Sequence, residues 1–166
     1  MNKNTTYLDT TNYAILSREF DVIIIESFGH NPLSRYPLEQ GLKIQTETLD
    51  HLVAQIADAK PKSVIIFLAT IAPSQSHYAK KTVDLSPQVR RDWANERRFY
   101  IENHINYAKR HNIPLINVYE KSLDENGLAL LKYINPDDYI HPSKEGIKLI
   151  SQEISDFLFK NKILPQ

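Results

Sequence analysis

The stretch 21-DVIIIES-27 contains four consecutive apolar residues, all of them β-branched. Two further segments share this character, 63-SVIIFLAT-70 and 113-IPLINVY-119. Continuous apolar runs, in contrast to alternating ones, are typical of strands that are covered on both faces, as in a parallel sheet between layers of helices. The three segments therefore predict three buried parallel strands.

Helical patterns lie between these strands and after them. Apolar residues recur at helical spacing over 38–60 and over 87–111, where Pro87 suits a first helical turn. Ser143 is suited to be the N-cap of a C-terminal helix. Residues 10–19 predict a further short helix. The alternation of strands and helices predicts an α/β fold, a three-layer sandwich around a parallel sheet with right-handed crossovers.

Length and composition exclude several classes of function. The 166 residues suit a single domain, 1–166.

Twenty basic and twenty acidic residues cancel, so no overall charge favours nucleic acid or an anionic membrane. Without cysteine, the chain has no disulfides, thiolate metal sites or cysteine nucleophiles. The N-terminus contains no signal peptide or membrane span, which predicts a cytoplasmic location for the chain as written; a longer parent protein would be free to be secreted.

The loop after the first predicted strand, 27-SFGHNPLS-34, contains a glycine and an asparagine close to the strand end. Ligands of parallel α/β folds bind at the carboxyl ends of the strands. Gly29 would let the backbone turn sharply there, and the Asn31 side chain could donate an N–H to a tetrahedral oxyanion. The alternative is a simple turn, since Gly, Asn and Pro are common turn residues.

The segment 138-DYIHPSK-144 places an acid three residues before a histidine, just ahead of the last predicted helix. A carboxylate beside an imidazole fixes its tautomer, so that the other ring nitrogen serves as a general base. A loop can fold Asp138 back toward His141, whereas Pro142 and Ser143 stiffen the loop and begin the helix. The alternative is a polar turn in which Asp137 and Asp138 are ordinary turn residues.

Together, these two motifs resemble the SGNH/GDSL hydrolases. Gly29-His30-Asn31 looks like the block III loop of that family, and Asp138-Tyr139-Ile140-His141 looks like block V. The resemblance implies a flavodoxin-like or SGNH-type fold and a Ser-His-Asp mechanism that cleaves carboxylic esters without a cofactor or metal. His141 would be the base, Asp138 its partner and Asn31 an oxyanion donor, with Gly29 supporting the loop. The substrate would be a small-molecule, carbohydrate or lipid ester.

The sequence departs from that family in its first half. Pro32 stands where the family has an aspartate, and the chain contains no Gly-Asp-Ser nucleophile motif. We therefore expect a family member that begins late and lacks its N-terminal strands, its nucleophile and block II. A truncated reading frame, a split protein and a degenerate enzyme all fit this expectation. An apolar strand 21–27 without its neighbour would favour self-association.

Ser27 is a weaker candidate for the missing nucleophile. It lies at the end of a predicted central strand, without the strand-to-helix turn that exposes a nucleophile, and a hydroxyl bonded to backbone is the simpler interpretation. Two other functions stay open: a non-catalytic fragment or pseudoenzyme with a binding or assembly role, and a flavodoxin-like binding domain. The second would need a glycine-rich phosphate loop, which no predicted strand precedes. Most of the other histidines are expected at the surface, and the polar connection 73–87 is expected to shape a substrate pocket.

Overall fold

A computed structural model describes residues 5–7, 10–12, 14–26 and 32–163. Its strands and helices in chain order are β1 (Thr5–Tyr7), β2 (Thr10–Asn12), β3 (Val22–Glu26), α1 (Leu38–Ala59), β4 (Val64–Ala69), α2 (Pro87–Arg110), β5 (Leu115–Asn117), α3 (Val118–Lys121) and α4 (Lys144–Lys160), with short 3₁₀ helices at Ile15–Ser17 and Leu131–Tyr133. β1 and β2 pair as an antiparallel hairpin apart from the main sheet.

The main sheet is parallel, in the order β3-β4-β5. Ile24 of β3 pairs with Ile66 of β4, and Phe67 pairs with Leu115 of β5. The predicted parallel α/β fold is confirmed. Within the described residues, however, β4 occupies the centre and β3 an edge, so our placement of 21–27 as a central strand is wrong for this sheet. The physical reason is burial, since β4 is the strand that both helix layers cover.

Side chains alternate across β4 and so divide the core into two halves. Phe67 faces α1 and α2, where it packs with Leu49 and Tyr107. Ile66 and Leu68 face the opposite way, where the apolar stripe of α4 covers them (Leu149, Ile150, Ile154, Phe157 and Leu158). A continuous apolar strand is needed because both of its faces are covered. The result is three layers, with α1 and α2 on one side of the sheet and α4 on the other.

Side-chain caps begin the two helices that matter most for the site. The Ser86 hydroxyl accepts a hydrogen bond from the Val89 N–H at 3.3 Å, and Pro87 occupies the first turn of α2. The Ser143 hydroxyl accepts from the Gly146 N–H at 3.1 Å. Each hydroxyl satisfies a backbone donor that has no partner within the helix. The N-cap predicted at Ser143 is confirmed.

Two predicted elements are wrong in part. The third strand ends at Asn117, not at residue 119, because the Asn117 side chain accepts from the Glu120 N–H at 3.2 Å and starts α3. Val118 and Tyr119 are good strand formers, but they are buried as helical residues. The helix predicted over 10–19 is replaced by β2 and the Ile15–Ser17 3₁₀ helix. Threonine favours extended backbone, and hairpin pairing decides the outcome.

Candidate active site

The loop between the last 3₁₀ helix and α4 is fixed at both ends by backbone hydrogen bonds. Ile134 and Pro142 form an antiparallel bridge. The Asn135 N–H donates to the His141 carbonyl at 2.7 Å, and the Ser143 N–H donates to the Tyr133 carbonyl at 2.9 Å. These contacts close residues 134–143 into a compact loop at the N-terminus of α4.

One residue of this loop, Tyr139, has a left-handed backbone conformation. Tyr139 has φ of 56°, an uncommon value for a residue that is not glycine, and its N–H donates to the Asn135 carbonyl at 2.8 Å. Immediately beyond it, the N–H groups of Ile140 and His141 both donate to Asp138 Oδ1, at 2.7 and 3.0 Å. The backbone therefore holds the Asp138 carboxylate in a defined orientation.

The other carboxylate oxygen contacts the imidazole. Asp138 Oδ2 lies 2.8 Å from His141 Nδ1, and the side chains are 24% and 69% exposed. Partial burial raises the pKa of Asp138, but the N–H groups of Ile140 and His141 and the imidazole together hold that pKa below its ordinary value. An ionised carboxylate only accepts, so Nδ1 carries the proton and Nε2 becomes the basic nitrogen.

Asn135 also contacts this pair, and the sequence reasoning missed it. Its side-chain N–H reaches Asp138 Oδ2 at 3.4 Å, while its side-chain oxygen accepts from the Asp137 N–H at 3.1 Å. Asn followed by Pro136 is a recognised turn signal, and that signal could have identified the residue. Asn135 thus supports both the turn and the carboxylate.

The loop that follows β4 packs against the same segment. The Ala79 N–H donates to the Tyr139 carbonyl at 3.3 Å, and the Thr82 hydroxyl donates to the Asp138 carbonyl at 3.4 Å. The ring of His77 lies 5.0 Å from the ring of Tyr139. Because this loop leaves the carboxyl end of β4, these contacts place Asp138 and His141 at the carboxyl edge of the sheet.

His77 is a second histidine near this edge that sequence reasoning had left at the surface. Its Nδ1 lies 2.9 Å from the hydroxyl of Ser76. Burial lowers the pKa of His77, and the charges of Lys80 and Arg90 lower it further. These effects favour the neutral form of the imidazole, and the Ser76 hydroxyl contacts it.

Part of the predicted site lies outside the described residues. Ser27, Gly29, His30 and Asn31 all fall there, and Asn31 as oxyanion donor with Gly29 as loop support stays a prediction. Asp138 and His141 are in contact, but their catalytic roles stay predictions as well.

Two polar residues of α2 away from this loop, His104 and Arg97, pack against aromatic rings. His104 is fully buried and stacks on Phe67 with ring centroids 4.3 Å apart, so it is an exception to the surface positions expected for most of the histidines. Its neighbours in the apolar stripe of α2 are buried as well, and its place in that stripe could have indicated its burial. The Arg97 guanidinium lies 4.5 Å from the Tyr78 ring centroid and 3.9 Å from the Glu96 carboxylate.

The part of the chain that the structure describes contains no candidate metal site and no candidate membrane-spanning helix. No cluster of three or more His, Asp or Glu side chains there could hold a metal ion. None of the helices in that part is both long enough and apolar enough to cross a membrane. The expected cytoplasmic location stays a prediction.

Solved structures with a similar fold include three bacterial proteins. The lipase/acylhydrolase from Enterococcus faecalis is 15% identical, with a TM-score of 0.57 over 88% of this chain and 64% of that one. A protein from Desulfitobacterium hafniense DCB-2 described as a lipolytic protein of the G-D-S-L family is 20% identical, with a TM-score of 0.56 over 87% and 69%. A GDSL-like lipase from Bacteroides thetaiotaomicron is 20% identical, with a TM-score of 0.50 over 76% and 54%.

At the sequence level, neither a family model nor a curated protein matches this chain. The chain spans 54 to 69% of the length of the three structures just described. The resemblance to SGNH/GDSL hydrolases that the two motifs indicated is matched by the three-dimensional comparison. The chain has the α/β fold of the GDSL/SGNH lipases and acylhydrolases.

Proposed function

We propose that this chain carries the acid and base half of a carboxylic-ester hydrolase, with His141 as general base and Asp138 as its orienting partner. The observation that carries the proposal is the 2.8 Å contact between Asp138 Oδ2 and His141 Nδ1, beside an imidazole that is largely exposed. Asp138 is itself held by two backbone N–H groups. A base oriented by a fixed third group is the arrangement that activates a hydroxyl nucleophile.

The reaction would follow the serine acyl-enzyme route. His141 Nε2 takes the proton from a serine hydroxyl as its oxygen attacks the ester carbonyl carbon, and the resulting imidazolium is stabilised by Asp138. Collapse of the tetrahedral intermediate breaks the ester C–O bond, and the departing alkoxide takes that proton. Water then attacks the acyl-enzyme with the same base, which releases the carboxylic acid and restores the serine. Asn31 would donate to the oxyanion in both steps.

The serine of this scheme would come from a Gly-Asp-Ser segment outside these 166 residues, because the sequence contains no such motif. Removing one member of a triad costs on the order of 10⁴ to 10⁶ in kcat. We therefore expect the purified chain alone to hydrolyse 4-nitrophenyl acetate at close to the background rate.

Complementation tests the base directly. A Gly-Asp-Ser segment encoded upstream, supplied in cis or as a second chain, should restore hydrolysis. His141→Ala should abolish the restored activity, whereas His51→Ala, at an exposed histidine of α1, should leave it unchanged. Restored activity that survives His141→Ala would rule out the assigned base.

A fluorophosphonate probe separates the remaining possibilities. Labelling of the unaided chain at Ser27, lost together with turnover in Ser27→Ala, would show that the nucleophile lies in this chain after all. No labelling and no complementation would favour the alternative function, a non-catalytic protein with a binding or assembly role.

A further inference from the structure

A cavity of about 670 Å³ lies between the loop after β4, the first half of α2 and the loop after α3. Its volume falls in the range of roughly 300 to 1,000 Å³ that is usual for small-molecule sites. Ala72 and Pro73 line it and also line a small pocket beside Tyr139 and Ile140. The cavity therefore opens close to the loop that contains Asp138 and His141, but its lining includes neither of them.

One side of this cavity is basic, although the chain as a whole has no net charge. Lys80, Arg90, Arg91 and Arg98 line it, and Asp124 is the acidic residue of the lining. The Asp124 carboxylate accepts from two backbone N–H groups of its own turn, at 2.8 and 2.9 Å. Both N–H groups donate to the same oxygen, Oδ1, and Asp124 is a single carboxylate against four basic side chains in the lining.

Two of the four basic side chains already have partners in the structure. Arg90 is buried and donates to the backbone carbonyls of Tyr78 and Leu85, so it holds the wall of the cavity in place. Arg98 pairs with Glu102 at 3.1 Å.

The side chains of Lys80 and Arg91 are exposed, and among the described residues neither the Lys80 ammonium nor the Arg91 guanidinium has a hydrogen-bond or ion-pair partner. These two side chains are the cations available to a ligand. A guanidinium can bind a phosphate or carboxylate through two parallel hydrogen bonds, and an ammonium adds a point charge.

The opposite side of the cavity is apolar. Leu128 and Leu131, which follow α3, line it with 51% and 42% of their surface exposed, and Leu123 of the same segment is less exposed. Exposed leucines beside a concave surface provide apolar area that a ligand can remove from water, which favours binding. The cavity thus offers a cationic wall and an apolar wall to the same ligand.

We propose that this cavity binds an amphiphile with an anionic headgroup. The headgroup contacts Lys80 and Arg91, and the aliphatic part lies against Leu128 and Leu131. This binding goes beyond the proposed ester hydrolysis, because it requires neither a nucleophile nor His141.

Calorimetric titration of the full chain with octyl phosphate, below its micelle concentration, tests the proposal. Octyl phosphate should bind at least tenfold more tightly than octyl glucoside, which has the same chain and no charge, and than inorganic phosphate, which has the charge and no chain. Equal binding of octyl phosphate and octyl glucoside would overturn the cationic half. Equal binding of octyl phosphate and inorganic phosphate would overturn the apolar half.

Two substitutions locate the site. Arg91→Gln should weaken octyl phosphate binding about tenfold, because a hydrogen bond to a charged group is lost. Arg110→Gln, at an exposed arginine in the last turn of the same helix, should not change it. Leu128→Ala should weaken octyl phosphate binding without changing that of inorganic phosphate. Equal effects of Arg91→Gln and Arg110→Gln would place the binding elsewhere and overturn the proposal.

Discussion

At the residue scale, Asp138 both shapes its loop and contacts the imidazole of His141. One oxygen accepts two backbone N–H groups, and the other contacts His141 and Asn135. The turn that makes this possible depends on Tyr139 in the left-handed region, a conformation that costs on the order of 1 kcal/mol or more for such a side chain. The hydrogen bonds to Asp138 offset that cost, so the orientation of the His141 imidazole and the shape of the loop are coupled.

Asp138→Ala should therefore lower the free energy of unfolding by about 1 to 3 kcal/mol, because it leaves the partly buried N–H of Ile140 and the N–H of His141 without their acceptor. Asp137→Ala is the matched control, since Asp137 is an exposed neighbour. Urea unfolding at pH 7 measures both. The difference in unfolding free energy between the two variants should become smaller in acid. Folding lowers the pKa of Asp138, so the ionised carboxylate stabilises the fold at pH values above its pKa in the unfolded chain. This stabilisation is lost as the pH falls through the lower pKa of the folded state. Equal losses in the two variants would contradict this account.

His104 should make stability depend on pH. Desolvation by burial lowers its pKa to about 4, against a smaller opposing effect of the Ile25 backbone. As the pH falls, His104 is protonated in the unfolded chain before it is protonated in the folded one. The free energy of unfolding is therefore highest above about pH 6.5 and declines by about 3 kcal/mol as the pH approaches 4. In urea unfolding between pH 4.5 and 7.5, His104→Phe should remove this decline, whereas His51→Gln at an exposed position should keep it. An unchanged slope in His104→Phe would refute the assignment.

At the scale of elements, the first turn of α4 sets the position of the loop before it. A Cβ added at Gly146 would fall on the carbonyl oxygen of Tyr133 and close to Pro142. The helix therefore approaches the 3₁₀ helix more closely than any other residue type would allow. The Ser143 cap, the Ile134–Pro142 bridge and this contact together hold the ends of the loop.

Gly146→Ala should consequently destabilise the fold, by about 1 to 3 kcal/mol, although alanine is the better helix former. The added methyl meets backbone, which cannot rotate away as a side chain could. Ser151→Ala, at an exposed position of α4, should stay within about 0.5 kcal/mol of the parent chain. Thermal and urea unfolding measure both, and a neutral or stabilising Gly146→Ala would show that α4 can shift without cost.

At the scale of the whole molecule, the layers could be predicted from the sequence because their signals are local. Apolar runs identified the strands, and the Ser143 cap identified the start of α4. The end of β5 could not be predicted, because Asn117 caps α3 against the strand preference of the next residues. The burial of His104 was equally hidden, since it depends on where α2 meets Phe67.

Some features of the candidate site could likewise be predicted from the sequence, and others could not. The spacing of Asp138 and His141 was visible in the sequence, and so was the possibility of their contact. The approach of His77 to Tyr139 was not, because it joins two loops that are far apart in the chain. Contacts of that kind follow from the crossover between β4 and α2, which no local pattern describes.

The edge of the sheet carries the last prediction. Within the described residues β3 pairs with β4 alone, and Ile24, on the α4 side of the sheet, is 36% exposed. An apolar edge strand of this kind favours association with another strand, and an inserted charge opposes it. Ile24→Lys should shift the chain toward monomer in light scattering after size exclusion. Ile15→Lys makes the same change at a similarly exposed isoleucine outside the sheet and should leave the mass distribution unaltered. If the unmodified chain is already monomeric at high concentration and unfolds cooperatively, the exposed edge of β3 does not drive association.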